Sequence, residues 1–188
     1  MAETSLYPRL LGPRWGELAE RVRRCHEVAP TLRANAVLTV ERGAGWLARF
    51  GATVMRLPRA APDVRTSLVV TTEGDHQLWS RSFAGQPVVS TQYEVGAMLA
   101  ERFGLVEVQL ALEVVAGELH YRAARARLCL GPLRIPIPGF LCPKVEGRAY
   151  VDDETPPGHM SLLIRISHPL VGLVVSYAGV VRPEEAAS

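Results

Sequence analysis

Residues 37–51 read VLTVERGAGWLARFG, and the interpretation of this stretch decides between two fold classes. An apolar run leads into Gly43-x-Gly45-x-x-Ala48 and then into an amphipathic segment, the order that cradles a dinucleotide pyrophosphate in many enzymes. Such a site also needs a parallel strand that ends in an acidic residue about twenty positions on. Asp63 lies at that distance, but it precedes the next strand and so stands at the wrong end to reach a ribose. We therefore interpret the glycines as a tight strand-to-helix reversal that needs positive φ or close packing, with no bound nucleotide.

The pattern beyond this stretch favours antiparallel strands. From Val64 onwards the apolar residues alternate with polar ones, and Glu73-Gly74-Asp75 is a hairpin signature between 64–72 and 76–83. The connections are short, whereas parallel neighbours need a dozen or more linking residues. We predict an α+β fold: a curved, largely antiparallel β-meander of about 8–9 strands, half-barrel or barrel-like, with two N-terminal helices packed on it.

Two segments predict the helices. Pro13–Val28 has apolar residues at helical spacing, and His26 falls on the apolar side, where a histidine is typically buried and hydrogen-bonded to backbone. Gly45–Leu57 is the second, with Trp46 and Phe50 on one face and arginines on the other. A basic amphipathic helix can lie on a membrane surface. Because this helix is short, we expect its apolar face to pack onto the sheet instead.

Composition sets outer limits on function. The chain of 188 residues is 48% apolar and 21% charged, which is typical of a soluble globular protein and predicts one domain over 1–188, with its core in 6–181 and a frayed tail at 182–188. A net charge of +2 does not predict nucleic-acid binding. The longest apolar run, Leu170–Val181, is too short to cross a bilayer as a helix, and the N-terminus lacks a signal-peptide layout. We expect a cytoplasmic protein without an integral membrane segment.

No familiar catalytic or metal-binding motif is present in the sequence. The three cysteines are widely spaced and form no Cys-x-x-Cys pair, which argues against a zinc knuckle or a redox dithiol. A P-loop, a Gly-x-Ser-x-Gly elbow and a His-Glu-x-x-His pair are absent too. The sequence therefore predicts no cofactor and no metal.

A charged cluster is the first candidate site. Strand alternation places His120 and Tyr121 on opposite faces, whereas Glu146 and Arg148 share a face, as do His120 and Arg122. Inside a barrel, such an Arg–Glu–His set could act in acid/base catalysis or bind a carboxylate. On a solvated face, the same residues would form cross-strand salt bridges. The pattern leaves both alternatives open.

A proline-rich stretch is the second candidate. Residues 131–143, GPLRIPIPGFLCP, interrupt the alternation, and proline cannot donate to a ladder, so they form a loop or an edge segment. Ile135, Ile137 and Phe140 make the stretch unusually apolar for a loop. It is either a plug over one end of the sheet or a lid over an apolar cavity.

Several segments together resemble an uncharacterised bacterial family of domains of unknown function. They are SLYPRLLGPRW, the Arg-rich segment ending in Cys-His, VERGAGWLARF, WSRSF, ERFGLVEVQLALEV and GPLRIPIPGFLCPKVEGRA. The resemblance extends from about Leu6 to Val181. One departure is Ile135-Pro136-Ile137-Pro138, where the family usually has Leu-Pro. The resemblance implies a domain that occurs alone or appended to other modules, among them oxidoreductase-like ones, and implies no activity, cofactor or catalytic residue.

Three functions remain open on these patterns. The first is a non-catalytic domain that binds a hydrophobic or lipid-like small molecule between curved sheet and helices. The second is an enzyme with an acid/base site, and the third is an interaction or oligomerisation module that docks a partner or a second copy through 170–181. The family resemblance implies an oxidoreductase as one such fused or separate partner. The candidate ligand-binding residues are His120, Glu146, Arg148, Ile135, Ile137 and Phe140.

Overall fold

The computed structural model describes residues 5–55 and 57–184, and most of them lie in one antiparallel sheet. Its strands are β1 Thr31–Arg42, β2 Ala61–Glu73, β3 His76–Phe83, β4 Gln86–Val95, β5 Met98–Phe103, β6 Val106–Val115, β7 Glu118–Leu130, β8 Leu133–Pro136, β9 Lys144–Tyr150, β10 Met160–His168 and β11 Gly172–Pro183. Residues 182 and 183, which we expected in the tail, thus extend β11, and 185–188 lie outside the described residues.

The sheet closes on itself. Its strand order is β6-β5-β4-β3-β2-β1-β11-β10-β9-β7, and β6 also pairs with β7, so that 10 strands form a closed barrel. The remaining strand, β8, pairs with residues 127–130 at the C-terminal end of β7. This confirms the predicted antiparallel, barrel-like α+β fold. The strands outnumber the prediction because β5 and β8 are short and were not recognised as strands.

Two-residue turns explain the hairpins. Ala84 and Gly85 have φ of 47° and 88°, and Ala116 and Gly117 have φ of 50° and 84°. Positive φ at both central positions matches the right-handed twist of paired strands. The chain therefore reverses within two residues at these points, which only antiparallel neighbours allow.

The connections alternate between two ends of the barrel. The end covered by the N-terminal segment 5–30, which we call the plug, is the plug end, and it carries the connections 74–75, 96–97, 116–117 and 151–159. The opposite end carries the connections 43–60, 84–85, 104–105, 131–143 and 169–171. The second end is called the α3 end because a helix, α3 (Trp46–Val54), lies in its longest connection.

The N-terminal segment closes the plug end. It consists of α1 (Leu6–Leu11), a 3-10 helix (Gly12–Glu17) and α2 (Glu20–Arg24), so the single helix predicted over 13–28 is wrong. The break occurs because Leu18 and Ala19 are extended, which lets Ala19 N–H donate to the Gly117 carbonyl at 2.9 Å. Arg21 donates to the carbonyl of Pro156 at 3.2 Å in another connection of the same end.

Helix α3 covers the opposite end in an unexpected orientation. Ala48 and Ala52 are buried, whereas Trp46 is 73% exposed and Phe50 is 64% exposed. The prediction that the large apolar face packs onto the sheet is therefore wrong. The small side chains allow the helix to approach Gly43 and β11 closely, and bulky ones would hold it away. None of the helices within the described ranges is long and apolar enough to span a membrane.

Candidate functional site

A cavity of about 110 Å³ lies inside the barrel, between the plug and α3. Its wall is mainly apolar, with Leu38 and Leu68 from β1 and β2 and Met160 from β10. Tyr7 and His26 of the N-terminal segment line it as well, and so does Met55, which follows α3. The cavity is thus lined by side chains from the strands and from both covers.

An ion pair lies on this otherwise apolar wall. Arg81 Nη2 donates to Glu101 Oε1 at 3.1 Å, and Arg81 Nη1 donates to Ser90 Oγ at 2.8 Å. The Ser90 hydroxyl in turn donates to Glu101 Oε1 at 2.6 Å. The Arg81 and Glu101 side chains are only 14% and 12% exposed. Buried charges of this kind must be paired, because an isolated one is strongly destabilising.

Aromatic rings hold the guanidinium in place. The Arg81 Cζ lies 5.0 Å from the centre of the Trp79 ring and 6.0 Å from that of Phe103. A guanidinium within about 6 Å of a ring centre is attracted to the electron-rich face. The cation is thereby oriented from two sides in addition to its ion pair.

A free hydroxyl lines the same cavity. Tyr177 of β11 packs its ring 6.0 Å from that of Phe83, and its hydroxyl has no hydrogen-bond partner among residues 5–55 and 57–184. Burial raises the pKa of Tyr177 to about 12, and the charges of Arg81 and Glu101 act on it in opposite directions. Tyr177 is therefore a neutral hydrogen-bond donor whose proton no group in the described part of the chain accepts.

A buried histidine links the plug to the barrel wall. His26 Nδ1 lies 2.8 Å from the carbonyl oxygen of Val22, so this nitrogen carries the proton and donates it to the carbonyl. His26 Nε2 then accepts from the Tyr121 hydroxyl at 2.6 Å. The prediction of a buried histidine hydrogen-bonded to backbone is confirmed.

Burial keeps this pair neutral. It lowers the pKa of His26 to about 4, although the bond to Val22 opposes that shift, and it raises the pKa of Tyr121 well above the ordinary value. The adjacent Tyr7, whose hydroxyl donates to Gln92 Oε1 at 3.0 Å, has a raised pKa for the same reason. A general acid or base works best with a pKa near the operating pH. The arrangement thus favours a structural hydrogen bond over proton transfer.

The low pKa of His26 predicts a loss of stability in mild acid. The unfolded chain takes up a proton near pH 6.5, whereas folded His26 takes it up only near pH 4. Because the unfolded state binds more protons between these values, we expect His26 to contribute a loss of about 2 kcal/mol in the free energy of unfolding between pH 7 and pH 5.

Urea unfolding at several pH values would measure this effect, with His26→Gln as the comparison. The variant should show a shallower pH dependence over the same interval, since glutamine does not titrate. Equal slopes for the two proteins would contradict the assignment of a low pKa to His26.

The predicted charged cluster assembles on the outer face of the wall. Strand register places His120 opposite Arg148 and Arg122 opposite Glu146. His120 Nε2 lies 2.9 Å from Glu118 Oε2, and Arg148 Nε lies 3.5 Å from the same oxygen. These side chains border a surface groove. The Tyr121 hydroxyl instead bonds to buried His26, so His120 and Tyr121 point to opposite faces as predicted. The structure thus brings His120, Arg148 and Glu146 together outside the barrel, in the cross-strand arrangement that the sequence left as one alternative.

The proline-rich stretch forms β8 and a short 3-10 helix (Gly139–Leu141) at the α3 end. Ile135 is 40% exposed and Phe140 is 72% exposed, while Ile137 packs against the core. None of these three side chains lines the cavity. Their assignment as ligand-binding residues therefore remains a prediction, because they do not border the cavity.

Sequence reasoning missed the residues that do line the cavity, although a signal was present. In Trp79-Ser80-Arg81-Ser82-Phe83, alternation places Arg81 on the face of two aromatic side chains. The same period in Leu99-Ala100-Glu101-Arg102-Phe103 places Glu101 on an apolar face. A charged residue flanked at both i−2 and i+2 by large apolar ones is thus the pattern that points into this barrel.

One family comparison covers most of this structure. A family model described as a domain of unknown function (DUF4166) matches residues 18–181, which contain α2, α3 and all of the barrel except the last residues of β11. A search of curated proteins found no match. The match confirms the resemblance to a family of unknown function, and it covers Arg81, Glu101 and Tyr177. The chain belongs to the domain of unknown function family DUF4166.

Proposed function

We propose that the barrel binds a small, mainly apolar molecule with one hydrogen-bond-accepting group, held in the cavity between plug and α3. The observation that carries this proposal is the free Tyr177 hydroxyl beside the Arg81–Glu101 pair on an apolar wall. Binding sites for small molecules are typically apolar cavities with a few convergent polar groups. The mouths and interiors of β-barrels are common places for them.

The volume sets the size of the occupant. The cavity of about 110 Å³ approaches that of an engineered cavity of about 150 Å³ that binds benzene. A single ring or a chain of a few carbons is therefore the upper limit for this space, and a long acyl chain exceeds it. The lipid-like ligand suggested by the sequence is therefore narrowed to a compact molecule.

The ion pair supports a binding role because it is a poor source of stability. Replacing a buried ion pair by apolar residues of similar volume is often neutral or stabilising. A chain under selection for stability alone has no need of Arg81 and Glu101 at inward positions of an apolar barrel. Two charges and a free hydroxyl at one place on the wall can instead orient a polar ligand group and reject apolar molecules of the same size.

Calorimetric titration with three ring-sized probes tests the proposal: benzene, benzaldehyde and benzoate. We expect benzaldehyde to bind more tightly than benzene, because its carbonyl can accept from Tyr177. In Tyr177→Phe the affinity for benzaldehyde should fall about fivefold, the value of one hydrogen bond, while benzene binding stays unchanged. Benzoate tests whether the acceptor can be anionic, since Glu101 would repel it and Arg81 would attract it.

A matched pair of substitutions locates the binding. Ala36 lines the cavity and Ala111 is exposed on the outer face, so Ala36→Leu fills the cavity and Ala111→Leu does not. We expect the first to abolish binding of every probe and the second to leave it unchanged. If no probe binds the unmodified chain, or if both variants bind alike, the proposal is wrong.

A further inference from the structure

Exposed apolar side chains are concentrated at one end of the barrel. Trp46, Leu47 and Phe50 of α3 are 73%, 45% and 64% exposed, and Leu170 in the β10–β11 connection is 72% exposed. The same end carries Phe140, also 72% exposed. Among the described strand ends of the plug end, Val115 is the one large apolar residue that is exposed to the same extent as Leu47, at 45%. Contiguous exposed apolar surface usually marks an interaction site.

These residues follow one another around the rim. The order β1-β11-β10-β9-β7 puts α3, which contacts β11, next to the β10–β11 connection, and that connection next to the 131–143 segment. The apolar side chains are therefore neighbours on one sector, not scattered points. We call this sector, formed by 46–50, 131–141 and 169–171, the apolar rim.

Charge divides the two ends as well. Two of the five connections of the α3 end contain arginines, and none of the five contains an aspartate or a glutamate. Arg49, Arg59 and Arg134 among them are exposed. The connections of the plug end carry exposed carboxylates at Asp75 and 152–154, and two arginines of the plug are paired with carboxylates there, Arg24 with Glu20 at 2.5 Å and Arg14 with Glu17 at 3.6 Å. The apolar rim therefore carries positive charge alone, whereas the opposite end carries both signs of charge.

We propose that the α3 end docks onto an anionic membrane surface, with Trp46, Phe50 and Leu170 entering the lipid interface and Arg49 and Arg59 contacting the headgroups. Helices that lie in the interface combine tryptophan, phenylalanine and leucine with arginine or lysine, and their attraction to anionic lipids adds to the apolar contribution. This binding goes beyond the ligand proposal and does not depend on it, because the rim residues do not line the cavity.

A membrane fits the rim better than a protein partner does. A protein interface would be expected to present carboxylates opposite these arginines and a shaped pocket for each large side chain. The rim offers protruding apolar side chains from three neighbouring connections, with the exposed guanidinium groups of Arg49 and Arg134 among them. A fluid, anionic layer accommodates such protrusions without a complementary shape.

Co-sedimentation of the full chain with vesicles tests the docking. We compare phosphatidylcholine vesicles with vesicles that also contain about 30% phosphatidylserine, and expect at least about tenfold stronger partitioning into the anionic ones at about 0.1 M salt. Raising the salt to about 0.5 M should remove most of that difference. Trp46→Ser with Phe50→Ser should reduce binding at least about tenfold, and Arg49→Glu with Arg59→Glu should abolish the preference for anionic lipid.

Variants of exposed apolar residues elsewhere on the barrel test whether vesicle binding depends on the apolar rim or on any exposed apolar side chain. Val89 and Leu163 are 51% and 43% exposed on the barrel wall, so Val89→Ser with Leu163→Ser should bind vesicles normally. The cavity variant Ala36→Leu should also bind them, which distinguishes failure of the docking from failure of ligand binding. Binding to neither vesicle, or equal binding by the rim and wall variants, would overturn the proposal. Sedimentation as a dimer that the rim substitutions dissociate, without vesicle binding, would overturn it in favour of an interface between two copies.

Discussion

Replacing Gly43 by alanine is expected to lower the free energy of unfolding by about 3 kcal/mol. A Cβ at this position would overlap the carbonyl oxygen of Leu173 and lie 2.9 Å from Ala48 Cβ. The obstacle is backbone of β11, to which Gly43 N–H donates at Val174 with a distance of 3.2 Å. Relief of the overlap requires β1 and β11 to separate or α3 to lift from the barrel. Urea unfolding followed by tryptophan fluorescence measures the change.

Gly45, two residues on, is the control for this prediction. Its φ of −66° is ordinary for any residue, and no atom lies within 4 Å of a Cβ built there. We expect Gly45→Ala to change the free energy of unfolding by no more than about 0.5 kcal/mol. Equal losses for the two variants would contradict the interpretation of Gly43 as a packing contact. A packing contact needs only Gly43, whereas a phosphate-cradling loop needs both glycines.

Replacing Glu101 by leucine is expected to cost about 3 kcal/mol in the free energy of unfolding. The substitution leaves the Arg81 guanidinium on an apolar wall, with Ser90 as its remaining hydrogen-bond partner among the residues that the structure describes. Arginine does not lose its proton at any ordinary pH, so the unpaired charge cannot be relieved by titration. Urea unfolding at pH 7 measures the loss.

The double variant Arg81→Leu with Glu101→Leu tests whether the loss comes from the unpaired Arg81 charge. With both charges gone, we expect a cost of about 1 kcal/mol or less, well below that of the single substitution. An exposed pair serves as comparison, since Glu20 and Arg24 are 65% and 67% exposed and Glu20→Ala should cost at most about 0.5 kcal/mol. A double variant less stable than Glu101→Leu would show that the pair itself stabilises the barrel.

The sequence predicted the antiparallel architecture because its signals are local. Period-two alternation and glycine-containing turns at 73–75, 84–86 and 116–118 depend only on neighbouring residues. Closure between β6 and β7 and the orientation of α3 depend on distant contacts. The large residues of α3 indicated a buried face, but the close approach of Gly43 to β11 leaves room only for Ala48 and Ala52 against the barrel.

Which polar residues are enclosed was harder to predict than the strands. Glu107 alternates with apolar residues, a pattern typical of a solvated face, yet it is 2% exposed on the outer wall. There Tyr93 donates to its Oε2 at 2.6 Å and Gln109 donates to its Oε1 at 3.1 Å. Burial raises the pKa of this carboxyl, but the two hydrogen bonds and the charge of Arg127 leave it below the ordinary value. Pairing partners from other strands decide such burial, and one strand does not reveal them.

The most direct test of a ligand-binding barrel uses the methionine methyl groups. Met55 and Met160 line the cavity, whereas Met98 at the start of β5 does not. In ¹H–¹³C spectra of methionine-labelled protein, benzaldehyde should shift the methyl signals of Met55 and Met160 saturably and leave that of Met98 in place. Unmoved signals at Met55 and Met160, or equal shifts at all three, would contradict binding inside the barrel.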